Sequence, residues 1–293
     1  MSMKRLNRRE MLAQSLRLSA GLTFLASGYC AKPEKVAESP RYQFGVCDWS
    51  IQKTADPAAL ELAKSLGFDG VQVSLGTLEN DMHLRQKAMQ EKYLELSQRL
   101  GVEIASLAIG ELNNIPYKSD PRAEEWVNDS IAVCQALGVK NVLLAFFGEG
   151  DLIDDPAGMD VVVERLKKVA PQAEKAGVNL AIESWLSADD HLKIINQVGS
   201  PAVKVYYDVG NSNKKGYNIY QEIEQLKNHI CEFHAKDYDD LFGKGSIDFE
   251  QVLQSMEKIN YHGWIVLEPV KSPLGMEASL QYNLNYLRKT FSV

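Results

Sequence analysis

Four polar residues close four consecutive apolar runs in the second half of this chain. AIESW carries Glu183, VKVYYDVGN carries Asp208, CEFHAKD carries His234 and WIVLEPV carries Glu268. The intervals are 25, 26 and 34 residues, each long enough for one strand and one helix. Taken singly, each has an ordinary structural explanation. A carboxylate after a strand often caps the next helix, and a histidine in an apolar strand is often a hydrogen-bonded core residue. Together they demand more. Three carboxylates gathered at one place repel one another unless a cation sits between them, because unpaired charge out of water is costly. An oxygen-rich set with one imidazole suits Mn²⁺, Mg²⁺ or Co²⁺ better than a structural zinc, which prefers thiolate and imidazole. Glu183, Asp208, His234 and Glu268 therefore read as ligands of one divalent ion, Mn²⁺ first.

Such convergence needs a scaffold that brings four strand ends together. From Gln43 onward a short apolar run, a helical pattern, a glycine and another apolar run repeat. The junctions SLGFDGVQVS, RLGVEIASLA, ALGVKNVLLAF and KAGVNLAIES show the helix tail, the glycine and the new strand. The runs are nearly continuous rather than alternating, as in parallel strands buried on both faces. Strands are expected near 43–48, 70–75, 102–109, 141–147, 179–184, 203–208, 230–235 and 263–268. Helices are expected near 56–66, 84–100, 121–137, 157–176, 188–198, 219–228, 248–259 and 276–290. Eight βα units in about 250 residues make a single-domain α/β (β/α)₈ barrel over residues 42–293, with its active site at the carboxyl ends of the strands. An open doubly wound sheet is the alternative, but the first turn, CDWSIQKTADP, has neither GxGxxG nor GxxxxGK[ST].

The composition is that of a globular chain: 293 residues, 45% apolar and 24% charged, with a formal charge of −7. That balance lacks the basic footprint of a nucleic-acid binder. Residues 1–30 stand apart. Lys4, Arg5, Arg8 and Arg9 precede the apolar stretch Leu18 to Gly28, which is too short to span a bilayer as a helix. The segment reads as an export signal, and NRREML reads as a twin-arginine signal with a periplasmic destination; an ordinary secretory signal is the alternative. Cleavage is expected after Gly28. A lipid anchor at Cys30 is the rival, although Tyr29 suits a lipobox poorly. Residues 31–41 form a charged, proline-bearing linker. Removing residues 1–30 leaves 27 basic against 38 acidic side chains, a charge of −11. The remaining Cys47, Cys134 and Cys231 are too few and too scattered for a disulfide framework.

With these motifs on the page, the chain resembles the sugar phosphate isomerase/epimerase group of the xylose isomerase-like TIM barrels, over essentially residues 42–290. That group includes ketose 3-epimerases and inosose dehydratase or isomerase-type enzymes. The resemblance rests on Glu183, Asp208, His234 within HAKD, Glu268, and GKGSIDF (Gly243 to Phe249). It implies one divalent metal held by that quartet, and proton transfer next to a carbonyl through an enediolate. It also implies that Glu183 and Glu268 double as ligands and as the acid/base pair on opposite faces of the substrate. Three positions depart from the ketose epimerases. Asn211 stands where they place a histidine, Asp240 where they place an arginine, and Asp189 where they place a glutamate. Substrate recognition is therefore expected to differ.

Candidate substrate contacts are Trp49, Glu111, Trp185, Asn211 and Lys236, the last on the same strand face as His234. Asp48, Asn113, Asn114, Phe146, Phe147 and Glu149 are weaker rim candidates. His83, His191, His229 and His262 have no evident partners and are expected in solvent or loops. The substrate is expected to be a small carbohydrate or polyol, with isomerisation or epimerisation first. β-Elimination from oxidised (3-keto) glycosides or inososes, and a non-catalytic sugar-binding barrel, remain alternatives. Relatives of this kind imply a homo-oligomer.

Overall fold

The computed structural model describes residues 41–291. The export signal and nearly all of the linker read from the sequence lie outside the described residues. Eight parallel strands close into a barrel in chain order: β1 Tyr42–Cys47, β2 Gly70–Ser74, β3 Glu103–Ile109, β4 Asn141–Phe146, β5 Asn179–Ser184, β6 Val203–Asp208, β7 Ile230–Ala235 and β8 Gly263–Leu267. Closure is made by β1 pairing with β8, from Tyr42 opposite Gly263 to Val46 opposite Leu267.

The helices between strands are α1 Ala58–Leu66, α2 Lys87–Leu100, α3 Pro121–Leu137, α4 Pro156–Ala176, α5 Ala188–Val198, α6 Val209–Lys214, α7 Ile219–Leu226, α8 Phe249–Lys258 and α9 Met276–Thr290. Left-handed glycines end α1 to α5, as the repeated junctions require. The short α6 was not expected. Its six residues, VGNSNK, carry no apolar period, and it forms because Asp208 caps its first turn. Among the described residues no helix is long and apolar enough to cross a membrane.

The core divides by strand parity. Outward-facing Val71, Val73, Leu107, Leu144, Leu180, Ile182, Val205 and Phe233 pack against the helices as one large apolar layer. That double-sided burial explains why the strands read as continuous apolar runs. Inside the barrel the packing is smaller and partly polar. Ala108, Leu143, Ala145, Ala181 and Tyr206 form one cluster, and Cys47, Ala105 and Val266 another. Buried among them are Gln72, Ser106 and Glu232. The small alanines near the carboxyl ends leave room for a cavity above them.

Candidate active site

Register fixes the quartet. Asp208 lies directly opposite His234 across β6 and β7, and Glu183 is the penultimate residue of β5, two beyond the interior Ala181. Glu268 follows the last residue of β8 and donates its backbone N–H to Ala235. One donor atom from each of Glu183, Asp208, His234 and Glu268 falls within 4.8 Å of all the others. Glu183, Asp208 and His234 are buried, and Glu268 is half-buried. Asp208 serves two purposes. Its Oδ1 accepts the backbone N–H groups of Gly210 and Asn211, capping α6, while Oδ2 stays on the interior side. The sequence posed cap against ligand as alternatives; one carboxylate supplies both oxygens.

The arrangement fits a divalent cation. Asp208 Oδ2 and Glu268 Oε2 are buried with no neutral hydrogen-bond donor, an arrangement that costs free energy unless positive charge faces them. Lys236 supplies part of that charge, its Nζ lying 2.5 Å from Glu268 Oε2 and 3.0 Å from Asp208 Oδ2. Burial alone would raise both carboxyls. Asp208 does rise, to about 7, whereas Glu268 is brought down by Lys236 and His234, because it holds the ammonium more closely. Burial would lower His234, but Glu183, Glu268 and Asp208 outweigh it and raise the imidazole. Three carboxylates thus face one ammonium and one imidazole, a deficit of positive charge at the donor cluster.

A buried chain of hydrogen bonds fixes the histidine. His234 Nε2 lies 2.8 Å from Gln72 Oε1, and Gln72 Nε2 donates to Ser106 Oγ at 3.1 Å. Ser106 Oγ donates to Glu232 Oε1 at 2.7 Å, which also accepts from Tyr206 Oη at 2.9 Å. Asn141 Nδ2 donates to Glu232 Oε2 at 2.7 Å. Burial pushes the Glu232 carboxyl up to about 7 even against these three donors. The carboxylate at the far end sets the polarity of the whole chain. Ser106 must donate downward, so Gln72 presents its amide N–H to Ser106 and its carbonyl to His234. Nε2 then carries the proton, and the Nδ1 lone pair is left for the donor cluster, where Nδ1 lies 2.9 Å from Glu183 Oε1.

Above the quartet opens a cavity of about 410 Å³, within the range of small-molecule sites. All five predicted substrate contacts, Trp49, Glu111, Trp185, Asn211 and Lys236, line it with Glu183 and Glu268. Trp49 Nε1 donates to Glu268 Oε1 at 2.9 Å, so this indole holds a carboxylate as well as forming a wall. Asn211 takes the position that the resemblance gives to histidine. Its Oδ1 accepts from Tyr238 Oη at 2.6 Å and Lys236 Nζ at 3.2 Å. Phe147 and Trp185 meet edge to face at 5.1 Å on another wall. Gly210 must be glycine because a Cβ there would lie 2.7 Å from the Lys236 side chain.

Several expectations are corrected. His191 is not a loop or solvent residue; it is buried, with Nε2 3.0 Å from Ser184 Oγ and Nδ1 2.9 Å from the Ser187 carbonyl. Asp48 does not reach the rim. It is fully buried and accepts from the backbone N–H groups of Ser74 and Ala55 and from the Ser74 hydroxyl. Asp189 lies outside the cavity in the first turn of α5, bonded to Gln225, and Asp240 caps the neighbouring Leu241 N–H. GKGSIDF, a motif of the resemblance, packs against the Asp237 carboxylate. The Asp237 carboxylate of HAKD accepts from Asp239 and Ile247, and a Cβ on Gly245 would sit 2.3 Å from it.

Gln72, Ser106, Glu232, Tyr206, Tyr238 and Thr77 were missed. For the first four a signal existed: each is a polar or hydroxyl-bearing residue within an apolar strand, at the same parity as a site residue. Glu232 sits two before His234 in the very stretch that drew attention. Tyr238 and Thr77 lie on loops, where sequence parity says nothing.

Comparisons with known proteins agree with this geometry. The profile of the family described as "Xylose isomerase-like TIM barrel" matches residues 60–290. Among curated proteins, SgbU of Escherichia coli (strain K12) is 27% identical over 258 residues, covering 78% of this chain and 88% of that one. The L-ribulose-5-phosphate 3-epimerase UlaE of the same strain is 26% identical over 231 residues, covering 71% and 80%. Among solved structures, D-psicose 3-epimerase in the presence of D-fructose superposes with a TM-score of 0.72 at 16% identity, over 86% of this chain and all of the other. The 3-keto-D-glucoside 4-epimerase YcjR from E. coli gives 0.67 at 14% identity, over 86% and 100%.

Proposed function

Since the chain belongs to the xylose isomerase-like TIM barrel family, we propose that it is a divalent-metal-dependent sugar epimerase or isomerase, with Mn²⁺ as its ion. The observation that carries the reading is the donor cluster at the cavity floor. Four donors lie within 4.8 Å of one another, and their three carboxylates outnumber the nearby cationic side chains, with one ammonium, that of Lys236, shared between Asp208 and Glu268. Epimerase relatives support the reaction class.

When bound, a divalent ion supplies the charge that polarises a substrate carbonyl and acidifies the neighbouring C–H. The protein's own residues do the rest. Glu183 and Glu268 arise from strands 5 and 8 of the barrel and both line the cavity. One carboxylate removes the proton next to the carbonyl and the other returns one to the opposite face. Trp49 and Lys236 hold Glu268 by its two oxygens, and Asn211 Nδ2 faces Glu183 Oε1 at 3.4 Å. Each base is thereby held in one orientation, which is the positional control that proton transfer needs. Asp208 and His234 would hold the ion. We take the protein to be exported through its arginine-pair signal, so its substrate is met outside the cytoplasm.

The test is metal content by mass spectrometry, together with incubation of the Mn²⁺-loaded protein in D₂O with ketoses, inososes and 3-keto-glucosides. One equivalent of metal and deuterium at a single carbon next to the carbonyl is the expected result. Release of an aglycone would reassign the protein as a lyase. Sugar binding without exchange in any metal would make it a binding barrel.

A further inference from the structure

We infer that the sugar bound by this cavity is uncharged, a free or glycosidically linked sugar rather than a sugar phosphate. The inference rests on the cavity being the sugar site. UlaE, which is similar in sequence, is named for a phosphorylated ketose, so the charge of the lining is informative.

Among the described residues lining the cavity, Lys236 is the only cationic one. Its ammonium is committed to the floor, 2.5 Å from Glu268, 3.0 Å from Asp208 and 3.2 Å from the Asn211 carbonyl. The remaining lining charge is negative: Glu111 joins Glu183 and Glu268. Lys214 and Lys215 are exposed cations next to lining aromatics. They lie over the rings of Tyr238 and Trp185, at 4.0 and 5.6 Å from the ring centroids, and neither lines the cavity.

Backbone amides are the other common partner for phosphate, and three at the rim are already engaged by side chains. Asn80 Oδ1 accepts from Thr77 N at 2.8 Å, Glu111 Oε1 from Leu78 N at 3.3 Å, and Asn113 Oδ1 from Phe147 N at 3.0 Å. A phosphate brought into this space would leave water without regaining its hydrogen bonds, at large cost. A neutral sugar meets suitable surfaces instead. Trp49, Phe147 and Trp185 offer apolar faces to C–H groups, and Thr54, Thr77, Asn113 and Asn114 offer hydrogen bonds to hydroxyls.

The experiment is calorimetric titration of the full chain, saturated with Mn²⁺, with matched pairs: L-ribulose and its 5-phosphate, D-fructose and its 6-phosphate, and a methyl glucoside and its 6-phosphate. Inorganic phosphate serves as a competitor, and deuterium exchange is followed in parallel. The expected result is that in every pair that binds, the neutral member is tighter by about tenfold or more, or about 1.4 kcal/mol, and that phosphate does not compete. Equal or tighter binding of a phosphorylated member, or binding of no member of any pair, overturns the inference. The exchange readout separates it from the reaction assigned above. Neutral preference without C–H exchange leaves this inference standing and sinks the epimerase reading. Exchange confined to phosphorylated sugars does the reverse.

Discussion

Replacing Gln72 with leucine tests whether the buried chain beneath His234 sets up the metal site. The change removes the acceptor 2.8 Å from His234 Nε2 and the donor 3.1 Å from Ser106 Oγ. His234 is fully buried, so its Nε2–H is left with only the Cys47 sulfur at 3.4 Å. Orphaning a buried donor costs about 1–3 kcal/mol. The protein can bear that strain in two ways. With the ring held in place, thermal stability falls by about 2–4 °C for each kcal/mol in a domain of this size. With the ring turned or its proton moved to Nδ1, the metal loses its ligand, and affinity drops about 10–100-fold, the usual effect of removing a partner behind a ligand. Gln72→Glu keeps an oxygen facing Nε2 and should bind Mn²⁺ at least as tightly as the wild type. The assay is a competitive Mn²⁺ titration of each variant, with melting curves in EDTA to confirm folding. If folded Gln72→Leu binds Mn²⁺ as tightly as the wild type, or if Gln72→Glu weakens it as much as leucine does, the positioning argument is wrong.

Other outcomes follow from the same geometry. Glu183→Gln should retain the fold, lose most bound metal and slow C–H exchange by about 10²–10⁴-fold, the usual worth of a positioned acid/base; exchange at the wild-type rate would remove Glu183 from the reaction. Lys236→Met removes a cation that competes for Asp208 and Glu268; Mn²⁺ affinity should rise by about tenfold or more, given Coulomb energies of several kcal/mol at this range, and a fall would show that the lysine supports the ion instead. Burial lowers His191 from 6.5 to about 4. A depressed folded value means that its contribution is fully present above pH 6.5 and is lost as pH falls toward 4, about 3 kcal/mol over that window. Asp48, raised by burial to about 6, works in the opposite sense, so the readout is wild type minus His191→Gln in urea melts at pH 7 and pH 4; a pH-independent difference refutes the assignment. Gly245→Ala puts a methyl 2.3 Å from the Asp237 carboxylate and should cost about 1–3 kcal/mol by overpacking, seen as a lower melting temperature.

Much of this protein was legible in its sequence, for identifiable physical reasons. Continuous apolar runs such as NVLLAF and the glycine-terminated helices between them specify parallel strands buried on both faces, and eight such units close the barrel. Residue order then placed Glu183, Asp208, His234 and Glu268 at one rim, since each strand end in a barrel of parallel strands points the same way. Strand parity put Lys236 beside them. These inferences needed only period and spacing, which are local properties of the chain.

What the sequence left open depends on contacts between residues far apart in the chain. Gln72 reaches His234 across 162 positions, and Trp49 reaches Glu268 across 219. Nothing in VQVS or CDWSIQ announces either partner. His191 falls within the helix expected over 188–198, but the sequence named no partner for it; only the packing of α5 on the barrel buries it against Ser184. Asp208 could have been a cap or a ligand, and only the closed barrel shows one oxygen on the helix cap and the other turned toward the donor cluster. The residue types and their order determined which chemistry could be assembled. The folded barrel decided which oxygen faces which nitrogen, because hydrogen-bond direction and buried charge are settled by side chains that become neighbours only when the first strand meets the eighth.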